Sequence, residues 1–316
     1  MKLLVTLGCD PPAADRGLTE TAALVEIDWE TRRIVRSLCY RSPPEHAAPP
    51  GQMTFAHGQL AGDQLLVTTA TELVFIDLER WKVQRTISRS EFNDLHHAVV
   101  DGDTLWVCST GLQAVLGLSG EGELREVHGT NGAHPWERYD PQTDWRRVET
   151  KPHSVHPNHL VMVDGDLWVT RFHQRDAVLV RDHERRMRVD VGNPHDGIFE
   201  RGMVHFTTTV GRLVACDPKT GERVRDIDLY AHDTRRRERA WCRGLALLDD
   251  DLAFVGMTQL RPTRWKNMAH WVLQDGKARL PSRIALYDLG AQRLVDEMPL
   301  EGRWSGASIY SIFVRG

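Results

Sequence analysis

Apolar and polar residues exchange places every second position along short runs of this chain. Each run is closed by Gly, Asp or Pro, and apolar residues almost nowhere recur at the spacing of an amphipathic helix. A period of two belongs to strands. The runs also repeat as sets. HHAVVDGDTLWVCSTGLQAVLGLSGEGELREVH, from His96, and NHLVMVDGDLWVTRFHQRDAVLVRDHERRMRVDV, from Asn158, both divide into four strands with a DGD turn between the first two. Units beginning at Ala56 and His195 divide the same way. A fifth begins at Cys242 with CRGLALLDDDLAFVGM, is interrupted by an insertion, and resumes at RIALYDLGAQRLVDEM.

The two ends of the sequence complete the count. Residues 1–38 hold three strands (KLLVTL, AALVEIDW and RIVRSL), and SIYSIFVRG at the other end holds one with the character of a first strand. Joined, they form a sixth unit that shuts the ring and hides its edges. The expectation is an all-β, six-bladed β-propeller spanning 1–316 as one domain. It has a velcro closure in which the C-terminal strand lies innermost beside the N-terminal three. Loops between first and second and between third and fourth strands are tight. The long ones, 9–21, 40–53, 129–152, 230–240 and 258–281, emerge by strand polarity on the face where each innermost strand begins. That face is the expected binding face.

Alignment of the innermost strands gives one ring position, occupied by Tyr310, His57, His97, His159, Asp196 and Arg243. The residues before it are Ile309, Ala56, His96, Asn158, His195 and Cys242. Four consecutive blades thus bring histidine to the channel mouth: His57, His97 (or its neighbour His96), His159 and His195. Such a set is expected to ligate a divalent transition metal, since imidazole suits iron, zinc or copper and calcium prefers oxygen. An all-imidazole set leaves the metal redox-competent, so iron is favoured. An oxidative reaction on a small polar metabolite then ranks ahead of a zinc-type lyase or hydrolase.

Arg243 is placed to hold an anionic substrate group or to pair with Asp196 or Asp94. Tyr310 can donate a proton, and Asp196 completes the catalytic group or orients a histidine. His153 and His156 could reach the mouth from a loop, although loop histidines are more often solvated. The run Arg235, Arg236, Arg237 and Arg239 reads as a solvated or interchain basic stretch, Cys242 as a buried thiol, and Trp106 and Trp168 as packing residues. A competing account makes the histidines lining groups bonded to backbone, in a non-enzymatic propeller that binds a protein or peptide on its long-loop face.

Composition narrows the classes. Forty Lys and Arg against 44 Asp and Glu leave a net charge of −4, which argues against a nucleic-acid binder. No apolar run reaches membrane-spanning length, and the opening MKLLVTLGCDPP breaks too early for a signal peptide. Five cysteines without a CxxC pair suit a reduced, cytoplasmic protein. No GxSxG, Walker loop, GxGxxG or HExxH occurs in a usable context, which argues against nucleotide, flavin or nicotinamide chemistry. The expected partner is a small-molecule substrate.

The segments PHDGIF, GRLVACDPKTGERV, CRGLALLDDDLAFVGM and IYSIFV resemble a family of uncharacterised bacterial propeller proteins. That family pairs a Pro-His strand start with a "VDP-TG" turn, an "RGLAF…AFVG" strand pair and a closing "EIFDV"-like strand. The resemblance covers about residues 153–316. It implies a propeller fold and no established reaction. Where the family's last strand tends to carry an acidic residue, this chain has Ile309, Tyr310 and Ser311.

Overall fold

The computed structural model describes residues 1–9, 21–46, 53–232, 240–249, 251–259 and 280–315. They form six antiparallel four-stranded sheets arranged as the blades of a propeller. Strands β1 (Lys2–Cys9), β2 (Thr21–Asp28) and β3 (Arg33–Tyr40) make three strands of the first blade. The second holds β4 (Gly58–Ala61), β5 (Gln64–Thr68), β6 (Leu73–Asp77) and β7 (Lys82–Ile87), and the third β8 (Leu95–Asp101), β9 (Thr104–Ser109), β10 (Ala114–Ser119) and β11 (Leu124–Gly129). The fourth holds β12 (Pro157–Val163), β13 (Asp166–Arg171), β14 (Asp176–Leu179) and β15 (Asp182–Arg188), and the fifth β16 (Pro194–Glu200), β17 (Met203–Thr208), β18 (Arg212–Cys216) and β19 (Arg223–Asp228). In the sixth, β20 (Trp241–Leu247) and β21 (Leu252–Thr258) are followed by β22 (Arg283–Asp288) and β23 (Arg293–Pro299). The last strand, β24 (Ser308–Arg315), returns to pair with β1, as the closure read from the sequence requires.

The apolar pattern explains why blades form and why they stack. The second and third strands of each blade are buried on both faces, which is why β1, second in its blade, reads almost without polar residues. Its Leu3, Val5 and Leu7 pack toward the sixth blade with Phe254 and Ile284. Leu4, on the opposite face, packs toward the second with Leu65 and Val67. The core is accordingly six apolar clusters, one between each neighbouring pair of blades. Trp106 and Trp168 belong to two of them. Outermost strands alternate instead, as in β3, where Arg33, Val35, Arg36, Ser37 and Cys39 face solvent. No helix among the described residues is long and apolar enough to cross a membrane.

Of the five long loops, 129–152 is described throughout, and it reaches the channel mouth through Lys151. Most of 9–21 and 258–281, part of 40–53, and the arginines at 235–237 and 239 lie outside the described residues.

Candidate functional site

The innermost strands do not run straight into the channel. Pairing slips between Leu95 and His97 in β8, Pro157 and His159 in β12, His195 and Ile198 in β16, and Arg243 and Leu245 in β20. In β24 it slips around Tyr310, opposite Thr6 and Leu7. Each slip is a β-bulge, which interrupts alternation and re-aims side chains. Two successive residues of one strand can therefore serve the axis. The ring position expected from alignment becomes two tiers. His96 and His195 line a cavity at the mouth, while His97 and Asp196 lie deeper.

In the deeper tier, His57, His159 and Asp196 converge. Each offers one donor atom, and the three atoms lie within 4.8 Å of one another, all three residues being buried. The Asp196 carboxylate is held from several sides. Its Oδ1 accepts the Gly244 N–H at 3.1 Å and faces His57 Nδ1 at 3.4 Å, and its Oδ2 contacts the Thr207 hydroxyl. Thr207 Oγ1 also stands 2.9 Å from the Cys242 carbonyl. One hydroxyl proton cannot serve both acceptors, so the neutral carboxyl fits this chain of contacts best. Burial indeed pushes the Asp196 pKa up to about 7, against the pull of the Thr207 and Gly244 bonds. Burial drives His57 and His159 the other way, well below the ordinary imidazole value, helped by the neighbouring His97. His159 Nδ1 is buried without a hydrogen-bond partner.

Some backbone strain lies here: Asp196 (φ 61°), Asp94 (φ 50°) and His156 (φ 56°) occupy the left-handed region, as do several turn residues elsewhere in the chain. Non-glycine residues enter it at a cost, and such residues cluster at functional sites. Gly244, at φ 73°, has its own reason. A Cβ there would lie 3.2 Å from the Tyr310 carbonyl oxygen, so only glycine lets β20 approach β24 while giving its N–H to Asp196.

His97 is differently engaged. Its Nδ1 accepts the Leu160 N–H at 2.9 Å and its Nε2 contacts the Gly58 carbonyl at 3.3 Å. Both nitrogens are thus committed to backbone, one from each neighbouring blade, and the ring stacks on His159 at 3.8 Å. Burial lowers its pKa to about 4. His97 is a neutral spacer between blades two and four. Of the four histidines expected to ligate together, His57 and His159 converge, and Asp196 completes the group in place of His97 and His195.

The upper tier encloses a cavity of about 380 Å³, lined in part by Asp94, His96, His156, His195, Arg243 and Tyr310. Asn158 fixes the protonation of His195. Its Nδ2 donates to the Pro194 carbonyl at 2.9 Å and to His195 Nδ1 at 3.2 Å. The carbonyl accepts only from the amide nitrogen, so His195 Nδ1 must accept too, and its proton resides on Nε2. That Nε2 is buried without a partner. His96 Nδ1 lies 2.9 Å from the Asp94 carbonyl, which leaves the lone pair on its Nε2. Arg243 lies against the rings of Trp241 (4.6 Å) and Tyr310 (5.0 Å), and its buried Nε has no hydrogen-bond partner. The expected pairing of Arg243 with Asp196 or Asp94 does not form; Asp94 instead faces Lys151 at 3.6 Å. Cys242 packs between the fifth and sixth blades, away from the donors. His153 contacts His156 at 3.3 Å, behind the cavity wall.

Sequence reasoning passed over Lys151, Phe172, His173 and Trp241, all of which line the cavity. A usable signal existed for Phe172 and His173, which follow a second strand on the long-loop face. The glycines after Asp196 and Arg243 were a signal too, since glycine inside a strand often marks a bulge.

No family model matches the chain. No curated protein matches it either. Among solved structures, a protein of unknown function from Bacteroides caccae is similar over 98% of both chains, with a TM-score of 0.61 and 12% identity. A chain of a nidogen/laminin complex is similar over 99% of this chain and 97% of its own, with a TM-score of 0.57 and 12% identity. At such identity the likeness extends to the fold, and 1225 matching chains show how widely that architecture is used. The six blades and this full-length neighbour agree on the propeller architecture.

Proposed function

We propose that this protein is a metal-dependent enzyme of the uncharacterised bacterial propeller family it resembles, acting on a small polar metabolite. The observation that carries the reading is the convergence of His57, His159 and Asp196 at the channel, with His159 Nδ1 lacking a hydrogen-bond partner among the described residues. The donor spread of 4.8 Å is wider than a closed ligand set, so His57, His159 and Asp196 would have to move inward to hold a metal. Two imidazoles and one carboxylate are the donors of non-haem iron(II) sites that keep open positions, which favours iron and an oxidative reaction over zinc chemistry. When bound, the metal supplies Lewis acidity and one-electron chemistry. The chain's own residues hold it, exclude water from the deeper tier, and present Arg243, Tyr310 and His195 from the adjoining cavity. A reduced, cytoplasmic setting belongs to the same reading, supported by five cysteines that are all free.

Elemental analysis of untagged protein, purified anaerobically and reconstituted with iron(II), tests the reading. Wild type is expected to carry close to one metal per chain. His57→Ala/His159→Ala is expected to lose it, and Asp196→Asn, which tolerates the left-handed backbone, to weaken it at least tenfold. Absence of metal from reconstituted wild type would sink the proposal.

A further inference from the structure

The cavity above the donor group holds two buried hydrogen-bond donors with nothing to bind. One is His195 Nε2, whose proton Asn158 fixes in place; the other is Arg243 Nε. Unpaired buried donors are costly and rare in native proteins, and a pair lining one cavity calls for an acceptor from outside. The charges around that cavity say which acceptor. Of the side chains with a fixed charge that line it, Arg243 and Lys151 are cationic and Asp94 is anionic. One positive charge is left over, on a guanidinium already desolvated against two aromatic rings. The walls say what the anion is attached to. Phe172 and Trp241 line the cavity beside His195 at ring separations of 5.2 and 6.1 Å, offering flat apolar surfaces next to its Nε2.

We infer that the mouth cavity takes a small carboxylate with a flat apolar body, its charge held by Arg243 and His195 and its body against Phe172 and Trp241. The inference names the substrate class of the proposed enzyme and so rests on that reading for its catalytic meaning, though the binding itself uses no metal. Fork-shaped guanidinium and planar carboxylate match in two parallel hydrogen bonds. His195 Nε2 adds a third. A volume of about 380 Å³ suits a ligand of benzoate size with room to spare.

Calorimetric titration of the metal-stripped full-length chain with benzoate, and with benzamide as its neutral isostere, tests this. Wild type is expected to bind benzoate at least tenfold more tightly than benzamide. Arg243→Gln should erase that preference, Arg243→Lys should restore part of it, and Arg303→Gln on the outer surface should leave it intact. Equal affinity for the two probes, no binding of benzoate, or an unchanged preference in Arg243→Gln would each overturn the inference. The wild-type comparison decides even if the Arg243 variants fold poorly. Because the protein is metal-free throughout, benzoate binding can succeed where iron reconstitution fails, and the reverse, so the two proposals fall separately.

Discussion

The Ile309→Ala/Ile312→Ala double variant is expected to lose most of its folding stability, although neither residue touches the candidate site's donors. Both lie on β24, are essentially inaccessible, and pack into the cluster between the first and sixth blades. Truncating a buried isoleucine to alanine costs about 2–5 kcal/mol, so the pair removes roughly 4–10 kcal/mol from a total that is typically about 5–15 kcal/mol. The loss falls on the strand that closes the ring. β24 joins β1 on one side and also packs against β20 and β21 of the neighbouring blade. Urea denaturation should show the midpoint collapsing. Val295→Ala, a similar apolar truncation on an exposed outer strand, should shift it by under about 0.5 kcal/mol. Similar midpoints for the two variants would mean that closure contributes little.

Acid should open the protein well above the pH at which carboxylates usually protonate. His97 and His205 have pKa values lowered to about 4 by burial, and burial also depresses His57, His96, His156, His159 and His195. In the unfolded chain each returns to an ordinary value near 6.5. As pH falls below that value the unfolded state binds protons that the folded state refuses. Each histidine then costs about 1.4 kcal/mol per pH unit until its folded pKa is reached. Asp196 acts in the opposite sense, since its carboxyl holds a proton in the folded state up to about 7 and in the unfolded state only near 3.8. One carboxyl cannot offset several histidines. The melting temperature of metal-free protein is expected to fall by about 10 °C or more between pH 7.5 and 5. Asp196→Asn should steepen that fall. A flat profile would mean that the histidines are solvated in solution.

The blades were legible because their signal is physical and local. A strand buried on both faces must read as an apolar run, and a tight turn favours Asp and Gly. DGD before an LWV strand thus marks the third and fourth blades, and looser versions (AGD, ERG, DDD) mark the second, fifth and sixth. The closure was legible from one unmatched strand. The site was half legible. Alignment brought His57, His159 and Asp196 to the right end of the right strands, because the ring position is a property of the fold. It could not tell His96 from His97, since a bulge adds one residue to a period of two and leaves no trace in the apolar pattern. Nor could it show that backbone groups of Gly58 and Leu160 occupy His97, residues distant in sequence whose amides carry no signal of their own.

The contact between Ser311 Oγ and His57 Nδ1, at 3.4 Å, joins residues 254 positions apart in the chain. During synthesis His57 emerges early, yet the groups that hold its ring come later, Asp196 from the fifth blade and Ser311 from the final strand. The donor group is therefore a late event in folding, born with ring closure and not before it. Once the ring is shut, a species bridging His57 and Asp196 would span the second and fifth blades and so resist unfolding from either end of the chain. Binding at the proposed site and topological closure would then protect one another, and release of a bound metal would be an early sign that the ring is coming apart.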